Sequence, residues 1–207
     1  MNLSRRTALL QTLLGCLTVP ISTLTMPAEL PSISTPTVCT PQTCVFHEPP
    51  PGVDYSTNPS VFGRILRGEI PSLVFEESTQ LLAFQDRTPR AKLHGLIIPK
   101  AFIPNVLSLT SNDMVLLTEM QKMAHDLLQQ YEPEAYRNQD YILCFHIPPF
   151  NSVDHLHLHI LAPASEMSWH YRYTKYLVGT RWCTSFQDVV IRLGIGKGPV
   201  KWQIGGK

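Results

Sequence analysis

Three histidines stand on alternate residues in His155-Leu156-His157-Leu158-His159, within an apolar run over residues 153–162. In extended backbone, side chains two apart share a face, so this spacing lines one surface with imidazoles and sends Leu156, Leu158 and Ile160 into the core on the other. Four of the chain's eight histidines, these three and His146, fall between positions 146 and 159. Imidazole changes charge nearer neutrality than any other side chain, so a row of them suits nucleophilic attack, proton transfer or metal binding.

The alternatives differ in what else they need. Two histidines one residue apart on a strand are a zinc-ligand arrangement that requires a further ligand. The nearest carboxylate, Asp154, falls on the opposite face of an extended strand, and no resident metal or other cofactor is expected. Cys44-Val45-Phe46-His47 has the spacing of half a zinc site. His125 and His170, each alone beside apolar residues, read as structural. Asp86, ahead of Thr88-Pro89, and Ser152 both suit turns as well as binding. Cys144 reads as a small buried apolar residue.

The elements that must hold this row can be traced from composition and periodicity. A chain of 207 residues, 43% hydrophobic, carries one full core plus tails. A net charge of +1 excludes bulk electrostatic binding of nucleic acid. The C-terminal stretch from Ser165 holds seven basic residues, Lys175 among them, against Glu166 and Asp188, and reads as a solvated basic face before it reads as help in holding an anionic substrate. Five scattered cysteines form no disulfide framework and fit a reducing compartment. No segment is apolar enough over sufficient length to span a membrane. Arg5 and Arg6 precede an apolar stretch over residues 8–24 that resembles a signal peptide or presequence, and a start at Met26 would remove it. The expected location is cytoplasmic or nuclear, or organellar or secreted if that stretch is a genuine targeting peptide.

Half of the 18 prolines lie before residue 60, in a region with five charged side chains, so residues 1–59 read as a disordered Pro/Ser/Thr-rich tail. The folded domain is expected over residues 60–193, followed by a flexible basic tail over 194–207. Val61, Phe62, Ile65 and Leu66 recur at helical spacing up to Pro71. Strands are expected over residues 73–75, 81–84, 94–98 and 141–145, the last antiparallel to the histidine strand. Thr110 and Asp113 form a capping box ahead of one long helix with its stripe Leu116, Leu117, Met120, Met123, Ala124, Leu127, Leu128 and Tyr131. A short helix is expected over residues 186–193.

The order helix, strands, long helix and alternating histidines resembles the histidine triad superfamily, whose signature is His-x-His-x-His followed by apolar residues. The stretches Phe62-Gly63-Arg64-Ile65-Leu66-Arg67-Gly68-Glu69-Ile70-Pro71, Ala83-Phe84-Gln85-Asp86 and His94-Gly95-Leu96-Ile97-Ile98-Pro99-Lys100 resemble its opening helix and nucleotide-contacting strands. Phe145-His146-Ile147-Pro148-Pro149-Phe150-Asn151-Ser152-Val153-Asp154, leading into the triad, is similar to the histidine triad nucleotide-binding protein 3 branch of adenosine 5'-monophosphoramidases.

This resemblance implies an α+β fold with a mainly antiparallel five-stranded sheet, one long and one short helix, and pairing into a homodimer. It implies a purine nucleotide substrate, with no nucleic-acid or membrane partner. His157 would attack the α-phosphate and form a nucleotidyl-histidine, from which water releases AMP. His159 and Ser152 occupy positions that contact phosphate or leaving group, and His155 is the first triad member. Asp86 matches the carboxylate that binds ribose hydroxyls. Val61, Phe62, Ile65, Phe84 and Leu96 would form the base slot, with Arg87, Phe150 and Asn151 also at the nucleotide. Arg87 stands where Hint proteins carry an apolar residue. His94 matches a histidine that helps to bind structural zinc in some bacterial relatives, but Ser60 and Gly63 replace the cysteines that complete that site. A dinucleoside polyphosphate hydrolase and a nucleotide-binding regulatory module with little turnover are the alternatives.

Overall fold

The computed structural model describes residues 45–202. The tail, targeting segment and Met26 start expected within residues 1–44 lie outside the described residues, as do Cys44 and residues 203–207. In chain order the elements are α1 Val61–Leu66, β1 Val74–Glu77, β2 Leu81–Gln85, β3 Leu93–Pro99, α2 Met114–Tyr131, α3 Pro133–Arg137, β4 Ile142–His146, β5 Leu158–Ala162, α4 Trp169–Tyr173, β6 Cys183–Ser185 and α5 Phe186–Gly194. None of the described helices is long and apolar enough to cross a membrane.

The strands form one sheet in the order β1-β2-β3-β5-β4-β6, antiparallel throughout. It has six strands, one more than expected. The extra strand, β6, is only three residues long, too short to display an alternating pattern. It is fixed by pairing with β4 at Cys144↔Ser185 and His146↔Cys183. The long helix α2 and the shorter α5 match expectation, but α3 and α4, of five residues each, are additional short helices. Pro133 starts α3 directly after α2, where its fixed φ is compatible with a first helical turn.

Local chemistry sets the element ends. Ser60 caps α1 by accepting from the Gly63 amide, and Ser185 caps α5 by accepting from Asp188 N. The Thr110–Asp113 capping box is present, on a short 3-10 turn that leads into α2. Gly68 follows α1 at φ +70, where a Cβ would lie 2.9 Å from Phe46 N.

Alternation along the strands then divides the sheet into two faces. Leu81, Ala83, Leu93, Ile97, Phe145, Leu158 and Ile160 pack with Leu117, Met120, Ala124, Leu127 and Leu128 of α2 in the main core. Each buried aliphatic side chain there stabilises by about 2 kcal/mol, which anchors the backbone of the histidine row. The other face carries two smaller clusters. Leu82, Phe84, Leu96 and Ile98 pack with Phe62, Ile65 and Leu66, while Cys144, Leu161 and Cys183 pack with Met167 and Tyr176.

Residues 45–59 lie ahead of Ser60, where the ordered domain was expected to begin, and they are packed. His47, Tyr55 and Asn58 are buried. The His47 amide donates to Leu66 O at 2.9 Å, and Lys100 Nζ donates to Glu48 O at 2.8 Å. Prolines and scarce charge suggested disorder, but hydrogen bonds to Leu66 at the end of α1, Glu77 of β1 and Lys100 just past β3 hold this segment, which includes a 3-10 turn at Tyr55–Thr57. At the other end, beyond residue 193, Val200 is buried and Trp202 Nε1 donates to Thr180 O at 3.0 Å.

Candidate active site

The histidine row is built on the sheet face opposite α2. Only His159 lies within a paired strand, because β5 begins at Leu158. His155 and His157 precede the strand, His155 at the end of a bend, and the lead-in is held where Leu156 N donates to Ile103 O at 2.7 Å. The expected alternation survives: Leu156, Leu158 and Ile160 enter the α2 core while the imidazoles face away from it. All three histidines are buried.

Hydrogen bonds to groups of fixed character settle each ring's tautomer. Pro99 O can only accept, so His155 donates from Nε2 at 2.8 Å and receives Asn58 Nδ2 on Nδ1, also at 2.8 Å. His155 O likewise accepts from His157 Nδ1 at 2.7 Å, which leaves the His157 Nε2 lone pair without a partner among the described residues.

His159 belongs to a directional chain of three rings. The Arg90 amide donates to His94 Nδ1 at 3.1 Å, so His94 must donate from Nε2 to His159 Nδ1, also at 3.1 Å. His159 then donates from Nε2 to His146 Nδ1, and His146 donates from Nε2 to Lys175 O, each at 3.1 Å. An amide at one end and a carbonyl at the other allow no reversal of this order. Each neutral ring gives one proton and accepts one, so no imidazolium is needed.

Burial keeps these rings uncharged. It pushes His94, His146 and His155 down to about 4. His157 is also lowered by burial, against the opposing effect of its bond to the His155 carbonyl. His159 is held well below the usual histidine range, by burial first and then by His157, His146 and His94. A buried neutral imidazole with an unpaired ring nitrogen is a competent nucleophile near neutral pH.

The structure brings part of the expected nucleotide set together. Phe62, Ile65, Phe84 and Leu96 share one buried cluster, and the Phe62 ring centroid is 5.3 Å from that of His157. Val61 lies outside that cluster with 40% of its surface exposed, because helical spacing turns it away from the position of Phe62. Asp86 Oδ1 accepts from the Thr88 amide at 2.8 Å, the expected turn, while its Oδ2 lies 3.5 Å from His94 Nε2. Arg87 and Ser152 are exposed. Asn151 Nδ2 donates to Val153 O and to Asp154 Oδ1, bracing the loop, and Asn151 lines a small cavity with His155 and His157. Phe150 is separate from the base-slot cluster: it packs edge-on with Trp182 at 6.2 Å.

Two sets of donor atoms lie within 4.8 Å of one another, His146 with His157 and His159, and Asp86 with His94 and His159. A metal at either would displace hydrogen bonds that already satisfy His146 and His159. His47, half of the Cys44–His47 pair, is bonded through Nδ1 to Glu77 Oε2 at 2.9 Å.

The sequence placed His146 in the crowded stretch without a role and Lys175 only among the basic residues after Ser165, and it gave no sign of Asn58. The histidine crowding was the available signal for His146. Asn58 reaches His155 across 97 positions of sequence, with no local pattern to announce it.

Comparison with known proteins follows this geometry. A family model described as "Scavenger mRNA decapping enzyme C-term binding" matches residues 59–174, more than half of the chain. A bifunctional adenosine 5'-phosphosulfate phosphorylase/adenylylsulfatase HINT4 from Arabidopsis thaliana is 38% identical over 104 residues, covering 49% of this chain and 68% of the relative. Adenosine 5'-monophosphoramidase HINT3 from Danio rerio is 34% identical over 124 residues, covering 60% and 74% respectively. A solved HIT family hydrolase from Legionella pneumophila is 35% identical, with a TM-score of 0.47, over 53% of this chain and 96% of that one. With the family model spanning the opening helix and the complete His155, His157 and His159 row, the chain belongs to the histidine triad superfamily and resembles its HINT3 members.

Proposed function

We propose that this chain is a nucleotide hydrolase that cleaves the P–N bond of adenosine 5'-monophosphoramidates and releases AMP through a nucleotidyl-histidine. The observation that carries the reading is the His157 Nδ1 bond to the His155 carbonyl, which commits the opposite nitrogen to a lone pair. HINT3 relatives named for this activity support it at 31–34% identity.

In this reading His157 Nε2 forms a bond to the α-phosphorus as the P–N bond breaks, and the departing nitrogen takes up one proton from solvent. Water then attacks the same phosphorus and breaks its bond to His157 Nε2, the proton that the water loses passes to solvent, and the ring ends neutral. Nδ1–H keeps its carbonyl partner throughout and bears the positive charge of the intermediate better for it. His155, braced by Asn58 and Pro99 O, positions that carbonyl. His159 and Ser152 contact phosphate or leaving group. Phe62, Ile65, Phe84 and Leu96 take the base, Val61, Arg87 and Asn151 edge the nucleotide, and Asp86 Oδ2 takes a ribose hydroxyl.

A homodimer paired through α2 and the sheet, working in the cytoplasm or nucleus, belongs to the same proposal; sedimentation and imaging of the full chain test those parts. Cleavage of adenylylsulfate is a second reading, supported by the 38% likeness to HINT4.

The test compares wild type and His157→Ala on an adenosine phosphoramidate, adenylylsulfate and a dinucleoside polyphosphate, with labelled nucleotide to trap the intermediate. Loss of at least about a thousandfold in kcat, with label on His157 in the wild type, is expected for a covalent nucleophile. Retained turnover in the variant would remove His157 from that role.

A further inference from the structure

Lys100 has only 3% of its surface exposed, although an ammonium taken out of water is strongly disfavoured unless it is paired. Its Nζ lies 2.7 Å from Glu77 Oε1 and donates to Glu48 O at 2.8 Å. The other oxygen of that carboxylate, Glu77 Oε2, lies 2.9 Å from Nδ1 of the buried His47. Glu77 ends β1 and Lys100 follows β3, with β2 running between those strands. One carboxylate therefore clasps two parts of the sheet to the segment that precedes α1.

The same segment reaches the histidine row at its other end. Tyr55 OH donates to Glu48 O at 3.1 Å, and Tyr55 O accepts from Arg67 Nη1 at 2.6 Å, so the 3-10 turn Tyr55–Thr57 is held on both sides. Asn58 follows that turn. Its Oδ1 accepts from the Ser60 amide at 3.1 Å and from Ser60 Oγ at 2.7 Å, which leaves Nδ2 to donate to His155 Nδ1. The second partner of His155, Pro99 O, belongs to the peptide bond that leads into Lys100. Both contacts that orient the His155 ring thus run back to Lys100, one along the end of β3 and the other through residues 48–58. His155 O in turn accepts the Nδ1 proton of His157.

We propose that Lys100 is a positioning residue for the nucleophile. With Glu77 and His47 it fastens residues 47–58 to the sheet, and so fixes His155 and the carbonyl that keeps the His157 proton on Nδ1. The inference rests on the reading of His157 as nucleophile and names what holds it in place from outside the row.

The experiment measures kcat and KM on an adenosine phosphoramidate, together with the ring nitrogen-15 signals of the histidines, in wild type, Lys100→Met and His47→Ala. Protonated and lone-pair ring nitrogens resonate far apart, so the spectra read each tautomer. Lys100→Met should lower kcat about tenfold with KM changed less than about twofold, since a displacement of about 1 Å costs up to about a hundredfold while the base slot is untouched. In the same variant the His157 proton should spread over both ring nitrogens. His47→Ala leaves Lys100 paired with Glu77 and should act in the same direction by about threefold; it decides alone if Lys100→Met does not fold. Met120→Ala removes core packing in α2, across the sheet from the row, and should leave the tautomers and kcat as in wild type. Wild-type kcat and tautomers in the folded clasp variants, or equal changes in Met120→Ala, would overturn the proposal. If the wild type cleaves no phosphoramidate, the phosphoramidase reading fails by itself and the ring signals decide the clasp: a redistributed His157 proton in the variants supports it, and an unmoved one overturns it.

Discussion

Acidification should unfold this protein through its histidines before its carboxylates titrate. Burial holds His94, His146 and His155 at about 4, against 6.5 for a free imidazole. Their folded values are depressed, so between the two limits the unfolded chain binds more protons and stability falls as pH falls. At about pH 5 an unfolded ring holds nearly a full proton and a folded ring about a tenth, a difference of about 2 kcal/mol per ring. Three rings together lose about 5 kcal/mol between about pH 7 and about pH 5, comparable to the whole stability of many domains. His157 and His159 shift in the same direction and add to the loss. Glu76, raised by burial, works in the opposite sense but is one group against several. Urea unfolding followed by tryptophan fluorescence at a series of pH values measures the effect. A loss below about 1 kcal/mol over that range would mean that the rings titrate as solvated imidazoles, and the neutral, directional hydrogen-bond chain would be refuted.

Two further outcomes follow from contacts around the row. In Gly63→Ala the new Cβ would meet Asn58 O at 2.5 Å and Asn58 Cγ at 2.7 Å, so Asn58 must move and His155 Nδ1 loses its donor. Stability should drop by about 1–3 kcal/mol and turnover with it; urea melts and kinetics check both, and unchanged turnover would show the Asn58 brace to be idle. Zinc in excess should inhibit reversibly, since the ring nitrogens of His146, His157 and His159 lie within 4.8 Å of one another, and a metal that displaced the His159–His146 hydrogen bond would also occupy the nucleophile's lone pair. Titration with zinc and rescue by a chelator test this, and full activity in excess zinc would count against that clustering.

Particular residues show how far the sequence could be read. The triad's alternation, the α2 stripe and the Thr110–Asp113 box were legible because each is a local periodic or capping signal. Strand β6 was not, since three residues between Trp182 and Phe186 carry no period, and residues 45–59 were not, since their order comes from partners such as Lys100 and Leu66. Phe150 was expected at the nucleotide from the family resemblance, and in the structure its ring packs edge-on with Trp182.

By itself the sequence determined that imidazoles alternate with leucine and isoleucine, so that the two kinds of side chain part to opposite faces, an alternation that the structure keeps although only His159 lies within the strand. Tertiary structure alone decided which nitrogen of each ring carries a proton. That depends on the carbonyls of Pro99, His155 and Lys175 and on the donors of Asn58 and Arg90, groups brought together only when the sheet closes. A hydrogen bond is fixed by position in space, and position in space is what a one-dimensional pattern does not contain.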